Sequence, residues 1–220
     1  MPRKFERLQL QQRVAGLFPP NCKLACFGPG FNADSTVGAE PIARLLLQAL
    51  RAKSTTYHLH EIDGKFELLA ANPQTLARFA CFCVKEFSTE NLLAFLLLQY
   101  IDCRATAGYD VGNEFGVLHD DFLLKDSALE VNIQSKVRQV ISLQTFSQPE
   151  REFRLALLTD LTGNLNDTWS RYSLSNKPNP DAQYPKGFRR PRTIPSKDIM
   201  TAYLTVRRIA GKGPHPARQK

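Results

Sequence analysis

The stretch Phe87-Ser88-Thr89-Glu90-Asn91-Leu92-Leu93-Ala94-Phe95 decides how this chain is read. Ser88 and Thr89 are helix-start residues, because a side-chain hydroxyl can accept from the unpaired amides of a first turn. The residues after Asn91 are almost wholly apolar: Leu92, Leu93, Phe95, Leu96, Leu97 and Leu98. A helix that is apolar on every side belongs inside a protein. Glu90 and Asn91 therefore fall at the mouth of a buried helix, where a rigid scaffold presents hydrogen-bonding groups. The helix dipole alone also favours an acid at Glu90, so capping and recognition both account for it.

The flanking sequence is helical as well. Pro73 suits a first helical turn, and Leu76, Phe79, Ala80, Cys83, Val84 and Phe87 line one face of the helix it opens. Downstream, Phe115, Leu118, Phe122 and Leu123 mark a helix over 113–125. Asp126–Gln134 is a non-helical connector with Val131 and Ile133 inward. Ser135 caps a short helix bearing Val137, Val140 and Ile141. Ser147-Gln148-Pro149-Glu150 is a capping box that starts a helix through Phe153, Leu157, Leu158 and Leu161. Gly163-Asn164 interrupts it, and Asp167 begins a last short helix with Trp169 in the core.

Upstream, Phe5–Phe18 reads as a helix ended by Pro19-Pro20, and 40–53 as another. Asp63-Gly64, between apolar-alternating arms in 55–69, predicts a β-hairpin, since both residues tolerate positive φ. The predicted fold class is all-α, a bundle of about nine short helices. It comprises an N-terminal extension over 1–70, a helical domain over 72–176 and a basic, proline-rich tail over 177–220.

Charge follows that division. The net charge is +8, but from Asn176 onward there are 11 Lys/Arg against 2 Asp/Glu, while the remainder is near neutral with 18 against 19. In the tail, Ser196 caps a helix with Ile199, Tyr203 and Val206 on one face and Met200 and Leu204 beside it. Arg207, Arg208 and Gly211 end it. Cations in a last turn suit the helix dipole. A basic amphipathic helix also suits an anionic membrane surface, for which Arg189, Arg190, Arg192, Arg207 and Arg208 are the candidate contacts. No motif or aromatic interleaving points to nucleic acid.

The five cysteines, Cys22, Cys26, Cys81, Cys83 and Cys103, follow no disulfide framework and read as reduced thiols. The N-terminus carries no signal-peptide apolar core, so a soluble cytoplasmic protein is expected. Catalytic readings lack residues. His119-Asp120-Asp121 has no further metal ligands at useful spacing, and neither do His58 and His60. No nucleophile elbow and no phosphate-binding loop occurs. No metal, cofactor or catalytic residue is predicted.

Three separated islands resemble the regulator of G-protein signalling (RGS) homology domain. They are Phe87–Phe95 with its Glu90-Asn91, the turn Glu130-Val131-Asn132-Ile133, and Asp167-Thr168-Trp169-Ser170-Arg171-Tyr172. The resemblance covers roughly half the chain, about residues 75–175, and implies an RGS-like bundle. It implies a GTPase activator rather than an enzyme. Such a domain binds the switch segments of a GTP-loaded heterotrimeric Gα subunit and holds them in their transition-state arrangement, with no arginine finger or base of its own. By that resemblance Glu90, Asn91, Asn132, Asp167 and Arg171 contact Gα, with Arg171 holding Asp167 from one turn on. Because Gα is lipid-anchored, a location peripheral to the plasma membrane fits. The alternative within the same fold is a scaffold or interaction module that does not activate. Two positions depart from the family pattern. Ala94-Phe95 stands where it has Phe-Trp, and Gly163 where it has an apolar contact residue, with Leu165 the nearest substitute.

Overall fold

The computed structural model describes residues 52–59, 69–141, 148–175 and 192–211, all within the unit Pro41–Lys220. The helix expected at 5–18, residues 40–51 of the helix expected at 40–53, the Asp63-Gly64 turn, His60, Ser147, Arg189 and Arg190 lie outside the described residues.

Helix α1 (Pro73–Lys85) starts as its sequence requires: the Asn72 side chain accepts from the Thr75 amide at 3.1 Å, with proline in the first turn. It buries Leu76, Phe79, Ala80 and Cys83. Helix α2 (Thr89–Thr106) is buried without a break from Leu92 to Ala105. A helix buried all round needs cover on every side. Helices α1 and α5 (Arg151–Ser175), strand β1 (Thr56–His58) and helix α6 (Ser196–Ala210) supply it. Each fully buried leucine on α2 contributes roughly 1.5–3 kcal/mol relative to exposure. Ser88 precedes α2 but its hydroxyl makes no capping bond. Its ψ of 22° is not the extended value from which a cap side chain reaches the first-turn amides.

Helix α3 (Gly112–Leu118) runs into one π-helical turn, His119–Leu123, closed by a bond from the Leu124 amide to the His119 carbonyl at 3.0 Å. Helix α4 (Ser135–Ile141) starts at the expected serine. Helix α5 then runs 25 residues. The expected break at Gly163-Asn164 is absent because glycine keeps its amide and costs a helix interior only about 0.5–1 kcal/mol. Burial of Leu161, Leu165 and Trp169 along the same helix outweighs that cost. Asp167 is therefore a mid-helix residue, not an N-cap. Six α-helices, rather than about nine, occur among the described residues.

The described residues are mostly helical, with one small antiparallel sheet. Strand β1 pairs with β2 (Thr193–Pro195), in register Tyr57↔Ile194, a partner from outside the expected hairpin, whose turn and second arm up to residue 68 lie outside the described residues. Both facing residues are 1 % exposed, so shared burial holds the pair together. Next to them the Thr55 amide donates to the Ser196 hydroxyl at 3.0 Å, and the Ser196 amide donates back to the Thr55 carbonyl at 2.8 Å. The Thr55 hydroxyl also meets Cys103 Sγ on α2 at 2.9 Å. The reading of 192–211 as an appended tail is thereby corrected. Ile199, Met200, Tyr203 and Val206 of α6 are buried, in contact with α2 and α1. The apolar stripe that suited a membrane surface is part of the core. Arg207 turns inward to the Tyr203 hydroxyl at 2.9 Å and to Asp121 at 3.6 Å. No helix of the described residues is long and apolar enough to cross a membrane.

Candidate functional site

Three segments meet at the N-terminal end of α2. The first is the corner from α1 into α2. The Ser88 amide bonds the Cys83 carbonyl at 3.0 Å and the Phe87 amide bonds Val84 at 3.4 Å, a Schellman ending. That motif needs a left-handed residue, usually glycine. Here it is Phe87, at φ +51° and 74 % exposed. Expected on the buried face of α1, Phe87 instead projects into solvent, because the left-handed turn carries its side chain off the helix.

The second segment is the connector 124–134. Val131 and Ile133 are buried while Asn132 between them is exposed, the alternation of extended backbone. Asp126 takes a left-handed turn at φ +65°, and its amide donates to Glu130 Oε2 at 2.8 Å. Arg138 holds the inner side, donating to the Leu123 and Val131 carbonyls at 2.9 and 3.3 Å and pairing with Glu130 at 2.9 Å. The Val131 amide donates to the Phe122 carbonyl at 2.9 Å.

The third segment is α5, whose Asp160, Asn164, Asp167 and Arg171 share one face by helical spacing. Asp160 accepts from Gln134 twice, from its amide at 2.9 Å and its side chain at 2.7 Å. Asn164 Nδ2 donates to Asn91 Oδ1 at 3.1 Å and to the Asn132 carbonyl at 2.6 Å. Asn91 Nδ2 in turn donates to Glu90 Oε1 at 2.9 Å.

Glu90, Asn91 and Asn132, predicted from separate islands, are thus brought into one hydrogen-bonded chain, with Asn164 as the link. Asp167 lies exposed three residues further along α5. Arg171 does not pair with it as expected: its guanidinium meets Glu86, at the end of α1, at 3.0 Å. Glu86 is held opposite Arg171 where the aromatic rings of Phe79 and Phe82 pack against Tyr172. Leu165, the expected stand-in for an apolar contact, is fully buried and cannot serve. Gly163 is exposed, with open space where a Cβ would be.

Electrostatically the rim is mild. Burial pushes the Glu90 carboxyl up from its ordinary value, opposed by a backbone hydrogen bond to the carboxylate. The other residues of the chain, Asn91, Asn132 and Asn164, are neutral amides. Such a surface can offer and accept directed hydrogen bonds, and Glu90 is the one ionisable group in the hydrogen-bonded chain. Among the described residues no cluster of three or more His, Cys, Asp or Glu is placed to hold a metal ion. His119 Nδ1 lies 2.7 Å from Asp120 Oδ1, and Asp121 faces Arg207 instead.

Sequence reasoning missed Asn164, Asp160 and Phe87. The polar spacing 160, 164, 167, 171 was the available signal for the first two, masked by reading Gly163-Asn164 as a break. No family model, curated protein or solved structure matches the chain.

Proposed function

We propose that this chain is a GTPase-activating regulator of the RGS type. It binds the switch regions of a GTP-loaded heterotrimeric Gα subunit and accelerates hydrolysis by holding them in the transition-state conformation. One observation carries the reading. Glu90-Asn91 and Asn132, about 40 residues apart and each part of an island that resembles the RGS family, share one hydrogen-bonded rim built on α5. A rim of fixed amides is suited to ordering mobile loops. Gα already carries its stabilising arginine and water-orienting glutamine, and immobilising them lowers the barrier through preorganisation. The exposed aromatic ring of Phe87 borders Glu90-Asn91 and supplies the apolar anchor such surfaces use. Asp167 and Arg171 extend the rim along α5.

The activity is tested by single-turnover GTP hydrolysis across a panel of Gα subunits. At least one is accelerated, and a flat panel refutes activation. A second reading, an RGS-like scaffold that binds without activating, draws on Gly163, where the rim lacks an apolar contact. It is distinguished by Gα binding that does not discriminate the transition-state form.

A further inference from the structure

We propose that Asn164 is the positioning residue of the rim, clamping the connector carbonyl of Asn132 to the side chain of Asn91. The inference rests on the reading of that rim as the partner-binding surface, and it concerns how the surface is held rather than what touches the partner.

Hydrogen-bond inventory forces the arrangement. The Asn132 carbonyl and the Glu90 carboxylate accept only. Asn164 must therefore present its NH2 group to Asn132, and Asn91 must present its NH2 group to Glu90. That leaves Asn91 Oδ1 to accept the second N–H of Asn164. Both amides have one orientation that satisfies every neighbour, so the chain Asn132–Asn164–Asn91–Glu90 is directional. One turn earlier on α5, Asp160 holds Gln134 through two bonds. The connector is thus fixed to α5 at 132 and at 134, while its other side rests on Arg138 and Phe122. Without Asn164, Asn132 is held relative to α5 only through its neighbour, and Asn91 is tied only to Glu90.

Asn164→Asp is the discriminating variant. It keeps the size but, when ionised, sets an acceptor against the Asn132 carbonyl. Asn91 can then satisfy it only by turning its NH2 group away from Glu90. When protonated, the aspartyl hydroxyl can again donate. The measurement is residue-resolved amide exchange by NMR on the full chain, as protection factors for Val131 and Gln134, at neutral and acid pH. In Asn164→Asp at neutral pH these fall about tenfold or more, while α2 amides and the unfolding midpoint hold. At Val131, whose acceptor is the uncharged Phe122 carbonyl, protection returns on acidification relative to wild type at the same pH, while Gln134, whose amide donates to the Asp160 carboxylate, is compared at neutral pH only. Asn164→Ala shows the neutral-pH loss without acid recovery. Unchanged connector protection in both variants, or a loss shared evenly with α2, overturns the proposal.

The second arm is affinity for Gα in a transition-state-mimic form. Where the wild type binds, Asn164→Asp weakens binding about tenfold or more at neutral pH, with recovery on acidification relative to wild type. Equal binding by the two overturns the positioning role. Where the wild type binds no Gα, the proposed function fails, and the clamp is still decided by the exchange data.

Discussion

At its C-terminal end α2 carries Asp102 and Arg104, both buried and both facing an opposite charge. Arg154 of α5 meets Asp102 at 2.7 Å, and its other nitrogens donate to the Pro149 carbonyl and the Thr106 hydroxyl. Glu114 of α3 lies 3.5 Å from Arg104, whose guanidinium also stacks over the Tyr109 ring at 4.6 Å. At its N-terminal end the same helix carries Glu90 and Asn91, half-buried and tied through neutral amides to Asn164 and Asn132. Both ends attach α2 to α5, at 102–154 and at 91–164, which makes the two helices antiparallel. The difference is in what each attachment can be for. Buried ion pairs depend on each other and face nothing outside. Half-exposed amides contribute little to stability and stay available. One end is a staple and the other a surface.

The largest expected effect breaks the staple. Asp102→Ala or Arg154→Ala leaves a buried charge uncompensated and costs about 3–5 kcal/mol in denaturant unfolding. A loss below about 1 kcal/mol, the level of an exposed pair, would erase the distinction between the two ends. At the surface end the pattern inverts. Asn132→Ala and Glu90→Lys each lower GTPase activation about tenfold or more, with stability within about 1 kcal/mol of wild type and helical circular dichroism retained. Unfolding of either variant assigns that residue to the fold instead.

Phe87 sharpens the comparison, because there stability and binding pull apart. Phe87→Gly relieves a left-handed phenylalanine and raises stability by about 1 kcal/mol in thermal or denaturant unfolding, while partner binding weakens. A variant less stable than wild type would show that the ring packs. Gly163→Ala is a smaller, purely local effect. With open space around the added Cβ, it stabilises α5 by about 0.5–1 kcal/mol.

The smallest effect is the pH dependence of the rim. Burial raises the folded-state pKa of Glu90 above its unfolded value. A raised carboxyl contributes stability that is fully present below the unfolded pKa and is lost as pH rises through the folded one. Burial moves Glu114 and Asp121 the same way. Glu90→Gln, which still accepts from Asn91, therefore gains stability relative to wild type between about pH 4 and neutrality. The unfolding free-energy difference measured across that interval checks the sign.

How far residues alone reach is clear at particular places. Leu92–Leu98 could only be a buried helix, Pro73 and Ser135 could only open helices, and Val131 and Ile133 alternate inward around an exposed Asn132, as their sequence pattern predicts. Local signals failed where distant partners competed with them. Tyr57 pairs with Ile194, a partner no local signal announced, and the leucines flanking Gly163 carried α5 straight through. Ile199, Met200 and Tyr203 gave α6 to the core, an outcome that a tail rich in Pro and Arg obscured. At the rim the same limit applies. Glu90, Asn91 and Asn132 stood out through the family resemblance of their islands, but Asn164 becomes visible only once α5 is continuous and lies beside α2.

The most direct measurement is the affinity of the full chain for Gα in its transition-state-mimic form against its GDP form. For an activator that works by preorganisation, the mimic binds about 100-fold tighter or more for at least one Gα. Equal affinity for the two forms, or binding to neither across the panel, contradicts the assignment of the Glu90–Asn91–Asn164–Asn132 rim as a GTPase-activating surface.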